Sequence, residues 1–322
     1  MALAFLFPGQ NSRYPEMLQN LVARDPANAE VLKHASDTLG RDLKSHFRPE
    51  TPAIFDHNRD VQIGVFLANH MHWQTLDRAG IKAEYSAGLS LGEFNHLVHI
   101  GALDFEDALR VLAARGEAYQ NAPRGMMTAV FPTVPEEVQA VVASQGEKDK
   151  LAIAMYNTPQ QCVLSGDRSA VEAAAARVVD ECYAESAVVD ECLPMHSPLF
   201  KGVGETLRPT LRAVPWRTPS KPYLSNTKGG FVSNPLAEDF VELLSAHPWQ
   251  PVRWRECMEE LARIEPDMVF VEAGPKSVLT RFFAKRWLNP RRYSTDADAD
   301  FQRVLVELKE WSRGLSRAAG AH

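Results

Sequence analysis

The run Gly88-Leu89-Ser90-Leu91-Gly92 is the stretch of this chain best suited to covalent chemistry. A G-x-S-x-G run between a strand and a helix makes a nucleophile elbow, whose glycines permit a tight turn that thrusts the serine hydroxyl outward. Amides at the start of the following helix can then stabilise an oxyanion. The chemistry implied is acyl transfer through an ester on Ser90, although a small-residue turn without function has the same composition. A serine nucleophile needs a base within hydrogen-bond reach, and the chain has 10 histidines. His70 and His72 stand two apart on a helix, facing different ways, and make a poor metal pair. His96 and His99 flank the elbow helix and read as surface or packing residues. His196, in Pro194-Met195-His196-Ser197-Pro198, ranks first because it falls at a junction between two parts of the chain, a natural place for a cleft. A helix-cap or buried structural histidine is the competing reading there.

The elements that must position these residues follow from hydrophobic spacing. Residues 2–7 and 84–89 read as buried strands, with helical stretches such as 61–79 between them, and 93–100 continues from the elbow as a helix. At Pro123-Arg124-Gly125 a turn signal breaks the pattern. Strands are then expected at 126–131, 151–156, 161–165 and 187–193, with helices at 135–144 and 170–182 and a turn at Asn157-Thr158-Pro159. That β-α-β-β-α-β order is ferredoxin-like, so 125–193 is expected to form an inserted small subdomain. Beyond it, helices are expected at 198–211, 238–245 and 254–264, and strands at 223–226 and 268–272. A last amphipathic helix at 301–311 carries Phe301, Val304, Leu305, Leu308 and Trp311 on one face.

Bulk properties narrow the function. The 322 residues are 45% hydrophobic, enough for a sizeable core. With 35 Lys and Arg against 41 Asp and Glu, the net charge of −6 argues against a nucleic-acid binder. No apolar run approaches the ~20 residues of a membrane helix, and residues 2–7 lack the basic flank and cleavage site of a signal peptide. Cys162, Cys182, Cys192 and Cys257 show no CxxC spacing, so neither a zinc site nor a redox pair is expected, and free thiols suit a cytoplasmic protein.

Seven blocks in order give a specific resemblance: Phe7-Pro8-Gly9-Gln10, Gly88 to Glu93, Arg115-Gly116-Glu117, Asn157-Thr158-Pro159, His196-Ser197-Pro198-Leu199, Pro251-Val252-Arg253-Trp254 and Glu272-Ala273-Gly274-Pro275. Across residues 4–290 the chain resembles the malonyl-CoA:acyl-carrier-protein transacylase family, which includes the acyltransferases of polyketide synthases. The resemblance implies an α/β fold: an α/β-hydrolase-like large subdomain with a parallel sheet (1–124 and 194–322) and the ferredoxin-like insert (125–193). It implies that Ser90 is acylated, that His196 is the base, and that the amides of Gln10 and Leu91 form the oxyanion hole. Arg115 would hold the free carboxylate of a malonyl-type group, with Leu89, Met195 and Asn157 also at the substrate. In this family backbone carbonyls, rather than an aspartate, orient the histidine. No bound cofactor or metal is implied. The CoA thioester is a substrate, and the partner is an acyl carrier protein bearing phosphopantetheine. A monomer is the family default.

Several positions depart from the family pattern. Leu89 replaces a usual histidine, a variant similar to stand-alone enzymes serving polyketide synthases without built-in acyltransferases. Met195 matches neither common pattern before the histidine and leaves acyl size open. Asn11 replaces a glycine, His247 falls near a position often held by glutamine, and Asn95-His96 replaces two small residues. An editing acyl hydrolase, or a transferase of aminoacyl units between carriers, would share Ser90 and His196, but Arg115 favours malonyl transfer. A non-catalytic docking subunit is a further alternative that the intact Ser90, His196 and Arg115 disfavour. An ordinary α/β-hydrolase would place its histidine near the C-terminus. Lys276, Arg281, Lys285 and Arg286, with Arg291 and Arg292, concentrate basic charge that could steer an acidic carrier protein.

Overall fold

The computed structural model describes residues 2–51, 53–283 and 287–319, with side chains described as far as Lys309. Strand β1 (Leu3–Phe7) is followed by helices α1 (Met17–Arg24), α2 (Asn28–Leu39), α3 (Leu43–His46) and α4 (Asn58–Arg78), then β2 (Tyr85–Gly88), α5 (Gly92–His99) and α6 (Phe105–Gln120). Next come β3 (Met126–Phe131), α7 (Pro135–Ser144), β4 (Leu151–Thr158), β5 (Gln161–Gly166), α8 (Arg168–Cys182) and β6 (Glu185–Asp190). The chain closes with α9 (Lys201–Arg212), the hairpin β7 (Tyr223–Ser225) and β8 (Gly230–Val232), α10 (Ala237–Ala246), α11 (Trp254–Ile264), β9 (Val269–Glu272), β10 (Arg292–Ser294) and α12 (Asp298–Ala319).

The first sheet runs β10-β9-β1-β2 with every pairing parallel. Both its faces are covered, which is why β1 is a continuous apolar run rather than an alternating one. Side chains still alternate between the faces. Ala4 and Leu6 pack with Trp254, Met258 and Leu261 of α11, while Leu3, Phe5 and Phe7 pack with Leu76 and with Phe301, Val304 and Leu308 of α12. Trp311, expected on that face of α12, has a side chain outside the described residues.

The second sheet is wholly antiparallel, in the order β4-β5-β3-β6. Period-two alternation again divides its side chains. Met126, Val130, Ile153, Cys162 and Leu164 pack under α7 and α8. Met127, Ala129, Phe131 and Val163 face the other way, into a cavity described below. A two-way backbone bond between β4 and the segment before α11 joins this sheet to the rest: Tyr156 N–H donates to Val252 O (2.9 Å) and Val252 N–H to Ala154 O (2.8 Å).

Some expected boundaries move. Asn157 and Thr158 lie in β4 rather than in a turn, because the pairing of Thr158 with Gln161 extends the ladder past them. The last strand of the insert spans Glu185–Asp190, not 187–193, since the Asp190 carboxylate accepts from the amides of Cys192 and Leu193 (both 2.8 Å) and turns the chain. Strand β10 was not expected. His96 and His99 are interior residues, 0% and 7% exposed. Their Nδ1 atoms both meet Ser86 Oγ, at 2.6 and 2.8 Å.

Burial makes several groups titrate abnormally. It pushes the His70, His72 and His96 imidazoles down to about 3, and that of His99 down to about 2. It pushes the Glu93 and Glu272 carboxyls up to about 7. Unfolded imidazoles take up protons near pH ~6.5 while the folded ones stay neutral, so stability is lost as pH falls from there toward the folded values. The two carboxyls act oppositely, adding stability as pH falls from about 7 to the ordinary range of ~4.3. The imidazoles outnumber them, leaving a net loss of stability as pH falls below ~6. The thermal midpoint is therefore expected to fall steeply between pH 6 and 5 in scanning calorimetry; a flat profile to pH 5 would mean that these histidines are not sequestered.

Candidate active site

The elbow forms where β2 ends against β1. Leu89 N–H donates to Phe7 O (2.9 Å), and the chain then turns through Ser90 in the left-handed region (φ 51°) into α5. Two glycines are obligatory here: a Cβ on Gly88 would lie 1.9 Å from Gly92 O, and one on Gly92 2.0 Å from Phe7 O. Asn226, following β7, clips the turn. Its Oδ1 accepts from Ser90 N–H (2.7 Å) and its Nδ2 donates to Gly88 O (2.7 Å).

Ser90 Oγ lies 2.8 Å from His196 Nε2, 106 residues away in sequence. His196 is also left-handed (φ 58°), with its amide on Pro248 O (2.8 Å). Its Nδ1 meets His247 O at 2.8 Å and Gln250 O at 3.2 Å. Carbonyls only accept, so Nδ1 carries the proton and Nε2 of the neutral ring presents a lone pair to the serine hydroxyl. Burial, then the electrostatic influence of neighbouring His247 and Arg115, holds the imidazole well below the ordinary histidine range, and the two carbonyls only partly offset this. Among the described residues, no turn, loop or cap bond uses the amides of Gln10 or Leu91, which flank Ser90.

A cavity of about 290 Å³ opens onto this pair. Leu89, Met195 and Asn157 line it with Gln10, as do Val278 and Phe282 from the segment after β9. Gln10 Nε2 donates to Met195 Sδ (3.2 Å), fixing the methionine beside the imidazole. Arg115 is not among the lining residues. It projects from α6 into the interior, 1% exposed, with one Nη1 donating to Gln62 Oε1 (2.7 Å) and the guanidinium over the Tyr119 ring at 4.3 Å. Its Nε and other Nη have no hydrogen-bond partner among the described residues.

Beneath the elbow lies Glu93, 1% exposed, accepting from Tyr223 Oη (2.7 Å) and lying 3.3 Å from His247 Nε2. Lys276 and Arg281 are exposed on the segment that carries Val278 and Phe282; Lys285 and Arg286 lie outside the described residues. Asn226 and Gln62 escaped the sequence reading. Gln62 had a usable signal, since α4 is buried almost throughout from Asn58 to His72 and a polar side chain there must find partners.

The arrangement suits general-base activation of a hydroxyl, and it generates a prediction. Labelling of Ser90 by a small sulfonyl fluoride should proceed at constant rate from pH 8 to pH 6, through the point near ~6.5 where a free imidazole half-protonates. His196→Ala should slow the labelling about a hundredfold or more. A wild-type rate that halves near pH 6.5 would show an ordinary imidazole instead.

The profile of the acyl transferase domain family matches residues 4–295. The chain is 30% identical over 311 residues to the malonyl CoA-acyl carrier protein transacylase of Bacillus subtilis (strain 168), covering 95% of this chain and 96% of the relative. The crystal structure of malonyl CoA-acyl carrier protein transacylase from Clostridium perfringens superposes with a TM-score of 0.88 at 27% identity, covering 98% of this chain and all of that one. A malonyl-transacylase solved in complex with a type II PKS acyl-carrier protein gives 0.87 at 25% identity, covering 95% and 99%. The chain belongs to the acyl transferase domain family.

Proposed function

We propose that the protein moves a malonyl-type acyl group from CoA, through an ester on Ser90, to the phosphopantetheine thiol of an acyl carrier protein in fatty-acid or polyketide synthesis. The observation carrying this reading is Arg115, whose guanidinium is buried with two nitrogen edges unpartnered. A buried cation is costly unless an anion bonds it; Glu93 acts on Arg115 only through space, and a substrate carboxylate reaching past the cavity lining would fill both free edges in two-pronged geometry. The names of the similar proteins, including the one solved with its carrier, support the same cargo and partner.

In the proposed cycle His196 Nε2 takes the Ser90 proton as Oγ attacks the thioester carbonyl, and the amides of Gln10 and Leu91 stabilise the oxyanion. Collapse expels the CoA sulfur, which takes the proton from His196. The carrier thiol then gives its proton to His196, its sulfur attacks the ester, and the proton returns to Ser90 Oγ. The apolar walls around Leu89, Met127, Met155 and Met195 exclude water from the ester, which favours transfer over hydrolysis. Residues 125–193 act as an inserted subdomain supplying one wall. Asn157 meets the substrate from β4, and Lys276 and Arg281, with Lys285 and Arg286, steer the acidic carrier. The protein works as a cytoplasmic monomer without a bound cofactor.

Incubation with malonyl-CoA alone should add one malonyl mass to the wild type, seen by intact-mass spectrometry, and none to Ser90→Ala. Arg115→Ala should lower the rate of adduct formation roughly a hundredfold, the loss of a charged bidentate contact. Release of free malonate without adduct would instead favour an acyl hydrolase.

A further inference from the structure

The segment after β9 forms one side of the cavity, yet it has an unfavourable backbone. Lys276 (φ 68°) and Ser277 (φ 52°) are consecutive non-glycine residues in the left-handed region, a conformation that persists only when surrounding structure enforces it. The enforcement is visible. Gly274 is pressed so closely onto the core that a Cβ there would lie 2.4 Å from Asn69 Oδ1 and from Pro8 Cδ. Asp296 accepts the Lys276 amide at 2.9 Å.

The main restraint is Glu272, at the end of β9 and 0% exposed. One carboxylate oxygen accepts from Val278 N–H (2.7 Å), and the other from Thr280 N–H (2.8 Å) and Thr280 Oγ–H (3.0 Å). Among the described residues no lysine or arginine pairs with this carboxylate; its hydrogen-bond donors all come from the segment itself. Since buried acids are costly unless fully bonded, Glu272 and the segment stabilise each other only in this one arrangement, which sets Val278 and Phe282 against the cavity containing Ser90 and His196.

We propose that Glu272 is a positioning residue that holds the 275–282 segment as the wall along which the pantetheine arm of donor and acceptor must lie. The inference rests on the reading that both substrates carry such an arm. Glu272 touches neither reactant, so its effect falls on binding of arm-bearing substrates and not on the reactivity of the Ser90–His196 pair.

The test compares wild type, Glu272→Gln and the milder Thr280→Val. In Glu272→Gln, KM for malonyl-CoA and for the carrier should rise together, about tenfold for one charge-assisted bond lost. Labelling of Ser90 by a small sulfonyl fluoride, which has no arm, should stay within about twofold. Hydrogen exchange of the Val278 and Thr280 amides should accelerate in Glu272→Gln, and Thr280→Val should shift KM in the same direction by a smaller factor. Unchanged KM values, or labelling that falls in parallel with them, would overturn the proposal. Should the wild type transfer no malonyl unit, the functional reading fails on its own; amide exchange then still decides the anchor, and slow exchange retained in Glu272→Gln would refute it.

Discussion

At the elbow, the end of β2 and the start of α5 approach more closely than any side chain would allow. With Gly88 against Gly92, and Gly92 against the Phe7 carbonyl, the backbone itself forms the contact surface, and much of the remaining architecture serves that contact. Strand β1 has to lie beside β2 so that Phe7 O can accept from Leu89. Ser90 has to take the left-handed region, and Asn226 compensates by bonding its amide and the Gly88 carbonyl together. The β7–β8 hairpin that carries Asn226 is thereby tied to the elbow, although it belongs to neither large sheet.

Behind the elbow the protein buries polar groups in an economical way. Arg115 stays protonated in any accessible pH range, so it supplies a fixed positive charge. Glu93 is the acid whose charge lies close enough to act on it, and it bonds Tyr223 and the Asn226 amide while facing His247. The imidazoles of His196 and His247 meet edge to face at 5.2 Å and are both held neutral by burial. A site with one immovable charge beside imidazoles held neutral by burial keeps the His196 lone pair free and leaves two edges of the guanidinium without a partner among the described residues.

Much of this was legible in the sequence because it is written in short-range spacing. The elbow follows from glycines two residues either side of Ser90, and the insert from period-two runs separated by helical ones. Strand β10 was not legible, since Arg292-Tyr293-Ser294 is three residues long with one aromatic, and it becomes a strand only by pairing at the edge of β9. Of the two roles open to His96 and His99, surface or packing, short-range spacing could not choose, because their burial depends on Ser86, Leu224 and Lys221, partners contributed by other elements. The roles of Asn226 and Gln62 are likewise tertiary: each is set by a partner 53 to 138 residues away.

The bond between Val252 and β4 has a mechanical consequence. Val252 is fully buried and tied in both directions to Ala154 and Tyr156, and two residues before it Gln250 offers its carbonyl to His196. The same few residues thus join the two sheets and set the angle of the imidazole ring. Any widening of the cleft at this seam would rotate the ring off Ser90, so the seam has to behave as a stiff spine. The opposite lip has fewer ties: β6 is an edge strand with exposed residues, and the segment after β9 is held by the carboxylates of Glu272 and Asp296. The cavity is thus pinned on the side that orients the imidazole and least restrained along the lip furthest from it.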